Sequence, residues 1–271
     1  MRSFRNTYNE IRDSHSHTLK FLNSSISFID ISTIKKRMDK LGEMAYQKYL
    51  TEWEHSYLES LKIPKRKIDF LAGRMAGKRA VKRQLVRSNG WSHANSLKFN
   101  DIEIKRTVTG RPIVFIKDGS SANGSSDFWV SISHTSGVAA SLVCRKKECR
   151  GIGIDIEIIE KRDDSLLDVA FIDGEVKRLR SIAAKENGRS GIRFIEEISR
   201  AWSIKEAVMK SMGVGVNIDL KDIEILDMGN FVAEVALKNG ALDRFKLLNG
   251  EEIQVEAAKI ENFMVAIACL Y

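Results

Sequence analysis

A short internal echo limits the fold of this chain more than any other feature. GKRAVKR at residues 77–83 echoes IKEAVMK at 204–210, and each copy is followed by the same strand-like tetrad DIEI, at Asp101–Ile104 and Asp222–Ile225. Each copy reads as a helix followed by strands. An echo this short is either a chance likeness or the mark of two related halves; in the second case the fold is α+β, a pseudo-dimer of two similar halves with the groove between them as the default ligand site. A length of 271 residues suits one large domain or two intimate halves. The only clear linker is GSSANGSSD, which divides the chain into 1–118, a linker at 119–127, and 128–271.

Residues 1 to 62 read as mainly helical. His15 and His17 there suit either a paired metal ligand or a solvated polar turn. FLAGRMAGKRAVKRQL, residues 70–85, has good helix formers and sets Arg74, Lys78 and Lys82 on one face as a basic stripe. DIEIKRTV and RPIVFI then read as a strand pair turning through Thr109-Gly110. DFWVSIS, VAASLVC and GIGIDIE suggest a three-stranded meander, followed by helix through Phe171 to Met212 and by four strand-like segments.

With 44 Lys and Arg against 36 Asp and Glu, the net charge of +8 favours an anionic partner: nucleic acid, membrane headgroups, a phosphorylated metabolite or an acidic protein. An RNP-type aromatic strand, a zinc signature and a helix-turn-helix pattern are all missing, which argues against nucleic acid. No apolar run is long enough to span a bilayer, and the N-terminus has no secretory h-region. Cys144, Cys149 and Cys269 form no metal-type pairing and read as free thiols, so a cytoplasmic protein without a membrane partner is expected.

Two segments could carry chemistry. In GIGIDIE, isoleucines 152, 154 and 156 alternate with Gly153, Asp155 and Glu157, so both acids point to one face of a strand, roughly 7 Å apart. Such a pair suits either a bridging hard cation or a half-exposed strand with polar residues in water. In SRAWSIKEAVMKSMG, Ala201, Ile204, Val208 and Met212 form an apolar face, with Trp202, Glu206 and Lys210 on or near the other. Glu206 and Lys210 suit a surface ion pair, or a metal-binding carboxylate beside a phosphate-binding ammonium. Trp202 reads as packing the helix rather than touching substrate.

GIGIDIE followed about forty-five residues later by WSIKEAVMK closely resembles the two-part signature of 4′-phosphopantetheinyl transferases, of the larger surfactin-synthetase-activating type rather than the short trimeric type. VSISHTSG at 130–137, FLAGRMAGKRA at 70–80 and GRP at 110–112 match as well, in the expected order. The resemblance implies a monomer that moves the phosphopantetheine arm of coenzyme A to a serine of an acyl or peptidyl carrier protein and releases 3′,5′-ADP. It implies Mg²⁺ on Asp155, Glu157 and Glu206, with Glu206, directly or through a metal-bound water, also the base and Lys210 on the pyrophosphate. It further implies coenzyme A contacts from Arg74, Lys78, Ser133 and His134, and from Gly110, Arg111 and Pro112 beside the adenine, with Arg66 a looser match. Lys205 reads as structural or at the rim of the phosphate site. Lys177, Arg178 and Arg180 would suit an acidic carrier surface. Fatty-acid, siderophore and secondary-metabolite synthases all use such enzymes. A catalytically inactive binder of coenzyme A or carrier protein is the alternative.

Overall fold

The computed structural model describes residues 23–89, 97–117, 127–163, 165–185, 191–213 and 218–271. His15, His17 and all but the last residue of the 119–127 linker lie outside the described residues. The chain divides into two units, meeting at Glu148 and Cys149.

The first unit opens with β1 (Ser25–Asp30), where SISFID alternates its contacts across two faces. Helix α1 (Ile31–Leu41) starts at Asp30, whose carboxylate accepts from the Ser32 amide. Helix α2 (Glu52–Ser60) begins with a reciprocal capping box between Thr51 and Glu54, and the long α3 (Pro64–Asn89) follows. Strands β2 (Ile102–Arg106), β3 (Pro112–Ile116), β4 (Phe128–Thr135) and β5 (Val138–Arg145) complete an antiparallel sheet in the order β1-β5-β4-β3-β2. Small side chains let α3 settle onto this sheet: Ala72, Ala76 and Ala80 are fully buried, and a methyl group on Gly77 would strike Ile104 at 2.5 Å.

The second unit runs β6 (Gly151–Ile158), α4 (Ser165–Ala170), α5 (Asp173–Ala184), α6 (Ile192–Ser211), β7 (Ile223–Met228), β8 (Val232–Leu237), α7 (Asn239–Leu247), β9 (Ile253–Ile260) and β10 (Phe263–Leu270). Its sheet has the order β6-β10-β9-β8-β7, which is the first unit's order strand for strand. Two α+β units of like build are therefore present, as two related halves require.

The repeat extends to a buried ion pair. Lys78 on α3 donates to Glu54, to the Tyr49 carbonyl at 2.7 Å and to the Phe99 carbonyl at 3.0 Å, while Glu54 accepts from the Ile104 amide at 3.1 Å. In the second unit Lys205 on α6 donates to Glu175 at 2.8 Å, to Leu220 O at 3.1 Å and to Ile223 O at 2.6 Å, and Glu175 accepts from the Ile225 amide at 2.8 Å. Each lysine has three donors and three acceptors. The network fastens the long helix, the preceding helix and the edge strand of each unit to one another.

Three expectations differ from this architecture. The segment before residue 62 contributes a strand, β1, whose partner β5 lies more than a hundred residues away. GIGIDIE does not continue a meander: β4 and β5 form a hairpin in the first sheet, whereas β6 pairs with β10 in the second. The first unit consequently extends past residue 118 to residue 148. The crossing falls in the RKKECR turn, where Lys146 N still bonds to Asp127 O at 2.7 Å and Arg150 N already bonds to Leu270 O at 2.7 Å.

Candidate active site

The carboxylates of GIGIDIE lie on a strand that α6 approaches closely. A methyl group on Gly153 would overlap the Ala207 carbonyl oxygen, and one on Gly151 would overlap that of Ser211. Opposite Asp155 and Gly153, β10 presents Ala266 and Ala268. Helix and strand can meet here because these positions carry almost no side chain. Asp155 is as a result only 2% exposed, while Ile152, Ile154 and Ile156 on the other face are buried as the alternation predicts. The acidic face of the strand is thus a helix-covered seam rather than a water-facing surface.

Along this seam, Trp202, Glu206 and Lys210 follow one another at i, i+4 and i+8 on α6. Lys210 Nζ meets Asp155 Oδ1 at 2.5 Å and lies 3.8 Å from Glu206 Oε2. Glu157 Oε2 accepts from Arg162 at 2.6 Å, and Glu157 Oε1 accepts from the Trp202 indole at 3.3 Å. Burial, with the charges of Asp155 and Glu157 adding to it and Lys210 opposing, pushes the Glu206 carboxyl up to about 7. Burial and the Asp155 charge also raise Glu157, held back by its bonds to Arg162 and Trp202. Burial works against the charged form of Lys210, but Asp155 and Glu206 outweigh it and lift its pKa.

The seam therefore holds three carboxylates in a site where negative charge is costly, partly neutralised by protein cations. Among the described residues, no three carboxylate, imidazole or thiol groups converge as a finished metal cage. The donor set is all oxygen and carries excess negative charge, which is what a hard divalent cation requires.

The first unit contributes a cavity of about 560 Å³, lined in part by Lys65, Arg66, Arg74, Arg106 and His134, with Tyr57 and Phe70 as its aromatic wall. Arg74 is 3% exposed and packs its guanidinium 4.3 Å from the centre of the Phe70 ring. Its Nε finds no hydrogen-bond acceptor among the described residues, although Glu54 lies 3.7 Å away. Burial lowers the Arg74 pKa to about 10, against the pull of Glu54. A buried cation with an unmet donor beside a cavity suits an anionic ligand.

The sequence-predicted residues divide accordingly. Asp155, Glu157, Glu206 and Lys210 come together on the seam, and Arg74 and His134 share the cavity. Ser133, beside His134 on β4, is buried. Lys78 does not face a ligand, because it is fully buried and bound to Glu54 and two carbonyls. Lys82 of the same stripe donates to the Leu97 carbonyl at 2.5 Å, and of the three stripe residues Arg74 alone lines the cavity. Gly110, Arg111 and Pro112 lie outside the cavity lining, with Arg111 stacked 3.8 Å over Trp129; Arg106, the β-partner of Pro112, does line it. Lys177, Arg178 and Arg180 are all exposed, and Arg178 also donates to the Ile225 and Leu226 carbonyls at the edge of β7.

Three contributors were missed. Lys65 and Arg106 join the cavity, and Arg162 meets Glu157. Arg162 comes shortly after the acidic pair, and this spacing was the available signal. Glu54 and Glu175 were legible too, because the interval between them equals that between the two DIEI segments.

Comparison with known proteins now bears on this geometry. A family model described as the 4′-phosphopantetheinyl transferase superfamily matches residues 151–266, which span β6 to β10 and hold the whole seam. A holo-[acyl-carrier-protein] synthase of Listeria monocytogenes is 35% identical over 118 residues, covering 44% of this chain and 92% of the relative. The chain belongs to the 4′-phosphopantetheinyl transferase superfamily. Another family member, the holo-[acyl-carrier-protein] synthase of Staphylococcus haemolyticus, is 33% identical over 122 residues, 45% of this chain and 93% of its own. Among solved structures, the Bacillus anthracis synthase in complex with CoA (3′,5′-ADP) matches with a TM-score of 0.36 and 28% identity, over 45% of this chain and 93% of that one. Each of these transferase relatives corresponds to less than half of the present chain.

Proposed function

We propose that this transferase moves 4′-phosphopantetheine from coenzyme A to a serine hydroxyl of an acyl or peptidyl carrier protein and releases 3′,5′-ADP. The seam of Asp155, Glu157, Glu206 and Lys210, lying wholly within the segment matched by the family, carries this reading. In the reaction the serine oxygen forms a bond to the phosphorus that bears the pantetheine arm, and the bond from that phosphorus to the bridging oxygen of the pyrophosphate breaks. The electron pair leaves with 3′,5′-ADP, and the serine proton passes to a base.

Glu206 suits the base, because its carboxylate stands on the seam 3.8 Å from Lys210, beside the group that would hold the phosphate. Lys210 supplies a cation to the phosphate oxygens where charge grows. Asp155, Glu157 and Glu206 would hold Mg²⁺, which when bound neutralises the pyrophosphate charge. The cavity of the first unit suits the phosphorylated nucleotide of coenzyme A, with Arg74, Arg66, Lys65 and His134 as phosphate partners. Two units of matching strand order in one chain support the larger, surfactin-synthetase-activating type and a monomer. Cys144, Cys149 and Cys269 are buried thiols outside any disulfide, which agrees with a cytoplasmic setting.

Incubation with apo-carrier proteins, coenzyme A and Mg²⁺, followed by intact-protein mass measurement, tests the reading. A phosphopantetheine mass gain on the carrier serine is expected, and Asp155→Asn should abolish it. Coenzyme A binding without a mass gain on any carrier would replace this reading with that of an inactive binder.

A further inference from the structure

One carboxylate of the seam is gripped from both sides. Trp202 Nε1 donates to Glu157 Oε1 at 3.3 Å, and Arg162 Nη2 donates to Glu157 Oε2 at 2.6 Å. The same Arg162 nitrogen donates to the Ile158 carbonyl at 3.0 Å, which ties the guanidinium to the end of β6. Trp202 stands one helical turn before Glu206, so a single face of α6 carries one carboxylate of the site and the donor that orients another.

The two donors differ in kind. The indole N–H is neutral and fixes the direction of the carboxylate without neutralising its charge. The guanidinium brings a full positive charge to the same group. Arg162 Nε is buried and has no hydrogen-bond acceptor among the described residues, so Arg162 reaches Glu157 with one donor unmet. Its side chain is 21% exposed, which leaves it a route outward.

We infer that Trp202 and Arg162 are positioning residues of opposite sense for Glu157. Trp202 aims the carboxylate at an incoming divalent cation, and Arg162 holds its charge until that cation replaces it. The inference rests on the metal reading of the seam given above. An outer donor that orients a ligand raises metal affinity, whereas a fixed positive charge beside that ligand opposes a dication. Deleting one donor should therefore weaken metal binding, and deleting the other should strengthen it.

The test is Mn²⁺ titration of the intact chain with coenzyme A at saturation, following the paramagnetic signal of free Mn²⁺. Trp202→Phe keeps an aromatic ring on this face of α6, smaller than the indole, and loses the N–H; it should weaken Mn²⁺ binding on the order of tenfold. Arg162→Gln should tighten it, and Arg162→Lys, which restores the charge, should return affinity towards the parent value. Thermal melts accompany each variant, and the two variants of the partly exposed Arg162 decide the matter if Trp202→Phe does not fold. Shifts in the same direction for Trp202→Phe and Arg162→Gln, or unchanged affinity in Arg162→Gln, would overturn the assignment. If the parent shows no saturable Mn²⁺ binding, the metal reading itself falls and this inference with it.

Discussion

Glu206 combines burial with the company of two other carboxylates, and a measurable pH signature follows. Its pKa of about 7 in the folded chain exceeds the 4.5 of an unperturbed glutamate. Between those values the folded state holds a proton that the unfolded state has lost, so stability falls as pH rises through this window and the full penalty is present above it. Glutamine mimics the protonated form. In metal-free buffer Glu206→Gln is expected to melt above the parent at pH 8, with the difference vanishing towards pH 5. A constant difference across that range would show that Glu206 is not the group responsible. Arg74 gives a second expectation at this scale: Arg74→Gln should raise the KM for coenzyme A with little effect on kcat, since a phosphate contact remote from the reacting bond is made equally in ground and transition states.

The elements are held in place by the two buried ion pairs, whose acids Glu54 and Glu175 recur at the interval of the two DIEI segments. Breaking such a pair from one side leaves an unpaired buried charge, so Lys78→Met is expected to cost about 3–5 kcal/mol in chemical denaturation, while Lys78→Met with Glu54→Gln should recover part of it. Gly153→Ala should cost more than an ordinary surface change because the added methyl overlaps the Ala207 carbonyl, and it should slow transfer as well by lifting α6 from the acidic strand. The helix–strand repeat and the seam residues were legible because they are periodic and local. Strand β1 was not, since six residues become a strand only by pairing with β5, far along the chain. The unit boundary was misplaced for the same reason: the Gly/Ser-rich segment looks like a linker, yet β4 and β5 beyond it return to the first sheet.

For the whole molecule, the net charge of +8 predicts that kcat/KM for an acidic carrier protein falls as salt is raised, because screening removes long-range attraction. Steady-state assays across a salt series, at fixed Mg²⁺, would check this; a flat profile would assign recognition to short-range contacts. The two sheets also permit a residue-by-residue comparison. Counting from Asp30 opposite Val138 and Ile158 opposite Phe263, the first unit carries Ser27 and Ile29 where the second carries Asp155 and Glu157. In the same register the second unit has Ala258 and Lys259 where the first has Ser133 and His134. Both units have the strands, the long helix and the buried Glu–Lys pair, and at these positions each carries groups that the other does not. The two scaffolds are thus alike in build but not in the side chains at these positions, so under the proposed function the matching position of the other unit offers no substitute for Asp155 or His134.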